Sequence, residues 1–210
     1  MNRTNKRRPL LTTRELTTVA ILAAISAVLF MVEIPVVLFY KLDFSHLPVL
    51  LGAFAMGPLP GTLILLVKSL LGLLHSTSQG VGELADFLMG AAMMIPAADF
   101  YRHMKTRKGA VIGMAVGTVV ATIVAVISNL YIMIPFYGTA YGMPVEAIVS
   151  MGQAVLPAVN TINKFVLLIT APFNVLKWVV ISVLAGLMYK PLSPILHAKA
   201  PASRKEAIEK

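Results

Sequence analysis

Residues 110–134 read AVIGMAVGTVVATIVAVISNLYIMI, a run of 25 residues without a charged side chain. The uncharged region is longer still, because no charge occurs between Lys108 and Glu146. A helix needs roughly 20 mostly apolar residues to cross the hydrocarbon layer of a membrane. The stretch therefore predicts a transmembrane helix.

The composition of the whole chain agrees with a membrane environment. Of its 210 residues, 58% are hydrophobic and 13% are charged, and the mean hydropathy is +0.82. Soluble domains carry about 25% charged residues.

A chain of this length normally forms one domain. Cysteine is absent, which excludes disulfides, thiolate metal sites and a cysteine nucleophile. The first apolar run has no small-residue cleavage site, so we expect no cleavable signal peptide.

Five further segments have the composition of membrane helices. They cover residues 16–32, 44–57, 60–75, 83–101 and 172–189. The second and third of them are separated by Gly57-Pro58-Leu59-Pro60-Gly61, a strong turn signal. The sequence therefore predicts an all-α integral membrane protein with six transmembrane helices.

Prolines set the expected limits of the last helices. Residues 135–171 are interrupted by Pro135, Pro144 and Pro157. We interpret this region as a loop with one or two short helices near the membrane surface. Pro172 would take the first helical position of the last span, and Pro191 and Pro194 would end that span.

Basic residues mark one side of the predicted bundle. Fourteen of the eighteen Lys and Arg residues lie before span one, between spans four and five, or after span six. They are Arg3, Lys6, Arg7, Arg8 and Arg14; Arg102, Lys105, Arg107 and Lys108; and Lys190, Lys199, Arg204, Lys205 and Lys210. With six spans, all three regions fall on one side, which the positive-inside rule assigns to the cytoplasm. The net charge of +9 is then an orientation signal, and nucleic-acid binding is not expected.

This topology implies three parts of the chain. Residues 1–15 would form a basic cytoplasmic N-terminus, residues 16–192 the membrane domain, and residues 193–210 a cytoplasmic C-terminal tail. Both termini would then lie in the cytoplasm.

Three polar residues fall within apolar helices near the predicted outer face. Asn129 lies close to the outer end of span five. Asn174 and Lys177 are three residues apart, on one face and in the first two turns of the last predicted helix. An ionisable side chain is costly when it faces lipid, so Lys177 should face the bundle interior or a ligand. Alternatively, Lys177 snorkels to the interface and Asn174 caps the helix or bonds a neighbouring one.

Carboxylates lie near the same face. Glu83 and Asp86 occur at the outer start of span four, and Asp43 precedes span two. Each could serve a ligand. Each could equally favour a helix start, where the dipole and the unpaired N–H groups attract carboxylates, and Asp43 is a plausible N-cap.

Span one carries small residues four positions apart. The pairs are Ala20 with Ala24 and Ala23 with Ala27. Such a stripe lets another helix approach closely. That helix could belong to the same bundle or to a partner membrane protein.

Signatures of catalysis are missing from the sequence. The four histidines share no metal-ligand spacing. The segment from Gly61 to Lys68-Ser69 resembles a phosphate loop, but Val67 stands where the second glycine is required. We therefore expect no enzyme activity and no ATP binding through this motif. Active transport would need an ion gradient or another subunit.

Several motifs together resemble one family. In chain order they are Leu42-Asp43-Phe44-Ser45-His46-Leu47-Pro48, Gly57-Pro58-Leu59-Pro60-Gly61, Gly80-Val81-Gly82-Glu83-Leu84-Ala85-Asp86-Phe87, Pro172-Phe173-Asn174-Val175-Leu176-Lys177 and Tyr189-Lys190-Pro191-Leu192. They resemble the riboflavin-specific substrate-binding subunits (S components) of energy-coupling factor (ECF) transporters, over roughly residues 15–192. His46 departs from the pattern, because an acidic residue is more usual there. We expect this departure to affect the outer loop and not the core motif.

The resemblance implies a binding site and partners. It implies six helices in a bacterial cell membrane and one vitamin bound near the outer face, with no cofactor. Asn129, Asn174 and Lys177 would hydrogen-bond the isoalloxazine ring. Further candidates for substrate binding are Tyr40, Lys41, Leu42 and Asp43, in the loop that helps to close the pocket, and Glu83. A transmembrane coupling subunit would dock on Ala20, Ala23, Ala24 and Ala27, and two cytoplasmic ATPases would complete the transporter.

The chemistry of these residues suits a flavin, and it leaves several ligands and functions open. Asn offers a donor and an acceptor and Lys only donors, which matches the mixed edge of an isoalloxazine. Riboflavin is uncharged at neutral pH, so one cation suffices. FMN remains possible because Lys41 or Lys164 could meet a phosphate. Thiamin or a different vitamin as the ligand also stays possible, as does an autonomous ion-coupled carrier or a small membrane enzyme.

Overall fold

The computed structural model describes the backbone of residues 11–197 and the side chains of residues 11–189. The features predicted for residues 1–10 and 198–210, among them much of the basic N-terminus and of the C-terminal tail, lie outside the described residues.

The described chain folds into nine α-helices and one two-stranded hairpin. In chain order the elements are α1 (Thr13–Phe30), β1 (Ile34–Val37), β2 (Tyr40–Leu42), α2 (His46–Met56), α3 (Pro58–Gly72), α4 (Val81–Met104), α5 (Arg107–Ser128), α6 (Ile134–Tyr141), α7 (Val145–Val155), α8 (Ile162–Phe165) and α9 (Ala171–His197). Five continuous helical stretches are long and apolar enough to cross a membrane, at residues 13–30, 58–75, 81–104, 107–141 and 162–189. With the shorter α2, they agree with the six predicted spans.

Local sequence explains where the first helices begin and end. Thr12 accepts the N–H of Glu15 and the Glu15 carboxylate accepts the N–H of Thr12, so a capping box starts α1. Gly57 ends α2 by donating its N–H to Ala53 O at 2.8 Å. Its φ of 103° is one that glycine adopts without steric cost. Pro58 then begins α3, as the turn signal predicts.

The short helix α2 lies at the centre of the bundle, and every residue from His46 to Phe54 is buried. One face of α2 packs with α4, α5 and α9, and another packs with α1, α3 and α4. The helices α4 and α5 approach very closely, because a Cβ at Gly113 would lie 2.8 Å from Ala97 O. Side-chain packing around α2 therefore fixes the relative positions of the long helices.

A third core lies at the end of the bundle that carries the β-hairpin, which we call the hairpin end. There β1 and β2 pair antiparallel, with Ile34 opposite Leu42. Residues 37–40 pack against buried side chains from α6, α7 and the segment before α9, including Ile134, Ile148 and Phe165. The hairpin was not predicted. The prediction of a short helix within residues 135–171 is confirmed by α7.

The prediction that residues 135–171 form a loop was wrong at both ends. A π-helical segment (Asn129–Met133) joins α5 to α6, and a second one (Val166–Thr170) joins α8 to α9. Each segment ends two residues before a proline, Pro135 or Pro172. Proline lacks an N–H and its ring crowds the carbonyl four residues earlier. That carbonyl lies in the wider π turn in both cases, so the helices widen and continue where we expected them to break.

The last helix is consequently longer than predicted at both of its ends. Pro191 and Pro194 lie inside α9, which continues to His197, so the prediction that they end the helix was wrong. Asn174 and Lys177 come 12 and 15 residues after Ile162, where the continuous helix begins. At 1.5 Å per residue they lie about 18 and 22 Å along it, and not in its first two turns.

Candidate functional site

Four neutral polar residues meet beneath the hairpin, and we call them the amide cluster: Tyr40, Asn129, Thr170 and Asn174. The Tyr40 hydroxyl donates to Asn129 Oδ1 at 2.9 Å and lies 2.5 Å from Thr170 Oγ1. Burial raises the pKa of Tyr40, so its hydroxyl keeps the proton that it donates. Residues far apart in sequence, on β2, α5–α6 and α8–α9, are thereby joined at one place.

The two asparagines of this cluster are oriented by their own helices. Asn129 Nδ2 donates to Ala125 O at 2.9 Å, and Asn174 Nδ2 donates to Thr170 O at 2.9 Å. Each amide nitrogen is thus bound one turn earlier in the same helix. The carbonyl oxygens are left to act as acceptors within the site, and Asn129 Oδ1 does so for Tyr40.

Aromatic rings pack around the Tyr40 ring. The Tyr40 ring stacks on Phe173, with centroids 5.0 Å apart and an interplanar angle of 26°. Phe165 lies on another side at 6.5 Å, and Phe39 lies at 4.8 Å. Flat apolar faces next to a few oriented polar atoms are typical of sites for aromatic ligands.

A second cluster beside the first carries formal charges, and we call it the charged cluster: Asp43, Lys68, Asp86 and Lys177. Lys177 Nζ lies 3.0 Å from Asp43 Oδ2 and 3.4 Å from Asp86 Oδ1. Lys68 Nζ lies 2.5 Å from Asp86 Oδ2. Two ammonium groups thus face two carboxylates, and the formal charges cancel.

Burial of the charged cluster excludes an interfacial position for Lys177. Lys177 is 6% exposed and Lys68 is fully buried. Neither ammonium group reaches the surface, so the interpretation in which Lys177 snorkels was wrong. Charges buried this deeply are tolerated only when they are paired.

Asp43 connects the charged cluster to the loop after the hairpin. Its carboxylate accepts the N–H of Ser45 at 2.9 Å and also the Ser45 hydroxyl. Ser45, and not Asp43, is the N-cap residue of α2, so the interpretation of Asp43 as the N-cap was wrong. Burial raises the pKa of Asp43, but the charges of Lys177, His46 and Lys68 outweigh burial and hold that pKa well below its usual range.

His46 lies inside the site. Its ring is 3% exposed, with Nε2 3.4 Å from Asp86 Oδ2 and Nδ1 4.0 Å from Asp43 Oδ1. The expectation that the departure at position 46 affects only the outer loop was therefore wrong.

The carboxylates and His46 also bring possible metal ligands together, with one atom from each of Asp43, His46 and Asp86 within 4.8 Å of one another. Both carboxylates are already paired with lysine ammonium groups. A divalent cation would be repelled by these two ammonium groups at close range. The donor set suits internal ion pairs better than a metal.

The remaining predicted site residues lie around these clusters. Lys41 forms an ion pair with Glu33 on the hairpin, and Leu42 lies opposite Ile34. The Glu83 carboxylate accepts the hydroxyls of Ser76 at 2.8 Å and Ser78 at 3.0 Å. Glu83 thus holds the loop before α4. The hydrogen bonds and ion pairs given above for the two clusters do not include Glu83.

The alanines of span one do not share one environment. Ala23 is fully buried and packs in the core formed by α1 to α4. Ala20 and Ala24 are exposed, and Ala27 is half-buried. Ala23 therefore serves packing inside the chain, and Ala20 and Ala24 form the exposed part of the stripe.

Sequence reasoning missed four residues of the site: His46, Lys68, Thr170 and Phe173. Lys68 carried a usable signal, because it interrupts a long apolar stretch and an ionisable residue in such a place is a candidate for function. Thr170 and Phe173 carried none beyond their proximity to Asn174.

The helices and the buried, electrically balanced site define a membrane-embedded binding protein. Residues 14–189 match the family model described as "ECF transporter, substrate-specific component". The chain is 32% identical to the riboflavin transporter RibU of Staphylococcus aureus (strain TCH60), over 87% of this chain and 92% of that protein. It is 25% identical to the riboflavin transporter FmnP of Bacillus subtilis (strain 168), over 90% and 97% of the two chains.

A solved structure is similar as well. It is described as "Structure and mechanism of the S component of a bacterial ECF transporter", and it matches with a TM-score of 0.68 and 33% identity, over 88% of this chain and 98% of that one. The chain belongs to the family of substrate-specific components of ECF transporters. Members of this family are transport subunits, not enzymes.

Proposed function

We propose that this protein is a riboflavin-binding S component, which captures riboflavin at the outer face of the membrane for ATP-driven import by partner subunits. The observation that carries the proposal is the amide cluster, in which Asn129 bonds Tyr40 of the hairpin and Asn174 bonds Thr170. Lys177 follows Asn174 by three residues on the same helix and bonds Asp43, in the loop after the hairpin, in a chain similar to two riboflavin transporters.

The chemistry of Asn129, Asn174 and Lys177 fits the polar edge of a flavin. That edge presents an N–H between two carbonyl groups. The oriented amides offer carbonyl oxygens that accept from an N–H, and Lys177 offers N–H donors for a flavin carbonyl. Phe173 supplies an apolar face against which the ring system can lie.

Binding requires the hairpin to move. Tyr40 already bonds Asn129 and Thr170, and its ring lies on Phe173. A flavin that uses the same groups has to displace the Tyr40 ring or slide beneath it. In this proposal residues 40–43 open for entry and then cover the ligand.

The charge balance of the charged cluster and of Lys41 favours riboflavin over FMN, and Lys164, which is exposed, stays the alternative partner for a phosphate. The charged cluster has no excess positive charge to offer a phosphate. Lys41, which could meet a phosphate from the hairpin, is paired with Glu33. A phosphorylated flavin would have to compete with these carboxylates, whereas an uncharged one would not.

Charge and exposure support the orientation and the partners that we propose. By the positive-inside rule, the hairpin end would face outside and both termini would lie in the cytoplasm of a bacterial cell. The exposed alanines Ala20 and Ala24 offer a surface where a transmembrane coupling subunit can approach closely. Two ATPase subunits would supply the energy, and residues 16–192 would form the membrane domain.

Titration of the detergent-purified protein tests the ligand. We expect riboflavin fluorescence to be quenched with about one flavin per chain, and FMN and thiamin to bind more weakly. Isothermal calorimetry with riboflavin, FMN and thiamin gives the affinities. Binding of thiamin in preference to riboflavin would overturn the assignment and leave the family membership in place.

A further inference from the structure

Asp86 is a buried carboxylate that binds two lysines with different oxygens. Its Oδ1 lies 3.4 Å from Lys177 Nζ, and its Oδ2 lies 2.5 Å from Lys68 Nζ. The proposed function uses Lys177 as a donor to the flavin but gives no role to Asp86 or Lys68.

Lys177 has three N–H donors, and two of them are committed within the chain. A lysine ammonium donates three hydrogen bonds and accepts none. One donor goes to Asp43 and a second goes to Asp86. The acceptors come from two different elements, the loop after β2 and the helix α4. Two fixed acceptors determine how the ammonium group is rotated, and therefore where the third N–H points.

Lys68 balances Asp86 so that this arrangement stays neutral. It is fully buried, and its ammonium lies 4.4 Å from the centre of the Phe30 ring, a contact that favours a cation. Because Lys68 shares the charge of Asp86, Asp86 holds Lys177 without leaving a net negative charge in the site.

We propose that Asp86 is a positioning residue for riboflavin binding. Together with Asp43 it takes two of the three donors of Lys177 and aims the third at the flavin, while Lys68 balances the charge of Asp86. The inference rests on the proposed function, because it assumes that Lys177 contacts the ligand.

A charge-balanced double variant separates positioning from simple neutralisation. In Lys68→Met/Asp86→Leu both charges are replaced by apolar groups of similar shape, a change that a protein often tolerates. We expect the apparent melting temperature to stay within a few degrees of the wild type and riboflavin to bind at least tenfold more weakly. Riboflavin binding at wild-type affinity would overturn the proposal, since Asp86 would then serve only to neutralise Lys68.

A cycle with Lys177→Met supplies a readout that a purely structural role does not change. In the wild-type background we expect Lys177→Met to weaken riboflavin binding at least tenfold. In the double variant the same change should weaken binding less, because the third donor is no longer aimed. Equal losses in the two backgrounds would overturn the positioning role. If Lys177→Met has no effect in the wild type, both the proposed site and this inference fail.

A second variant keeps the test decisive if the double variant does not fold. Asp86→Glu keeps the charge and moves the carboxylate by one methylene group. We expect a stable protein with at least tenfold weaker riboflavin binding, and unchanged affinity would overturn the proposal. The matched control is Asp99→Leu/His103→Met, which removes an exposed pair on the same helix and should leave the affinity unchanged.

Discussion

The amide cluster and the charged cluster lie under the same hairpin but are held in different ways. In the amide cluster, Asn129 and Asn174 are oriented by carbonyls of their own helices. In the charged cluster, every strong contact joins different parts of the chain: α3 to α4, α4 to α9, and α9 to the loop after β2. We infer that the charged cluster mainly stabilises the fold and positions Lys177. The amide cluster mainly forms hydrogen bonds with the ligand.

The largest expected effect separates the clusters by stability. Lys68→Met leaves a buried carboxylate without its nearest partner, which should lower the free energy of unfolding by about 3–5 kcal/mol. Thermal unfolding in detergent measures the loss, and Lys68→Met/Asp86→Leu should recover most of it. Lys108→Met, at an exposed position, is the control. If Lys68→Met lowers the free energy of unfolding no more than this control does, the inference that the charged cluster stabilises the fold is wrong.

The second prediction concerns affinity, to which the two asparagines of the amide cluster and Lys177 of the charged cluster should all contribute. Asn129→Ala and Asn174→Ala should each weaken riboflavin binding by more than about 1 kcal/mol, because polar atoms at the edge of the ligand lose their partners. Lys177→Ala should weaken binding by at least as much. The melting temperatures of the two asparagine variants should change much less than that of Lys68→Met. Calorimetry showing full affinity in all three variants would remove these residues from the site.

The third prediction concerns the contact between the hairpin and the amide cluster. Tyr40→Phe keeps the stacking on Phe173 but removes the hydroxyl that bonds Asn129 and Thr170. It should lower the free energy of unfolding by about 1 kcal/mol and speed hydrogen exchange in residues 40–42. Tyr131→Phe, at a position that is 76% exposed, should do neither. Equal exchange rates in the two variants would show that the hydroxyl does not hold the hairpin.

The smallest effect is a pH dependence through Asp43. Its pKa is depressed in the folded protein, so its stabilising contribution is complete above the unfolded pKa of about 3.9. That contribution is lost as the pH falls through the lower folded pKa. The stability difference between the wild type and Asp43→Asn should be constant from pH 7 to pH 5 and shrink below about pH 4. A difference that shrinks already between pH 7 and pH 5 would mean that the carboxylate is not held ionised.

The sequence predicted the helical membrane architecture and the residues of the amide cluster, apart from Thr170, but not the limits of the helices. The uncharged residues 110–134 indicate a span because length and hydropathy suffice for that inference. Pro135 and Pro172 misled us, because a proline signals a break and nothing nearby reveals a compensating π turn. The hairpin lacks the usual Gly or Asn in its turn, where Leu38 adopts a φ of 51°, and it contains Pro35.

The pairing of the charged cluster could not be predicted from the sequence. Asp43, Lys68, Asp86 and Lys177 are distant in the chain. Asp43 has a plausible local role as a cap, Asp86 as a helix-start residue and Lys177 as a snorkelling residue. Only the packing around α2 brings them together. Their burial therefore depends on the whole bundle and not on any local pattern.

The short length of α2 has a consequence for the lipid around the protein. Its 11 residues cover about 16 Å, whereas the hydrocarbon layer is about 30 Å thick. α2 is therefore about 14 Å shorter than the layer is thick, and the backbone of the loop before α2 is satisfied within the chain by Ser26 and Asp43. A thicker or thinner bilayer is then accommodated at this loop more easily than along the long helices. The same loop carries Asp43 and continues into the hairpin, so bilayer thickness should influence how readily the site opens.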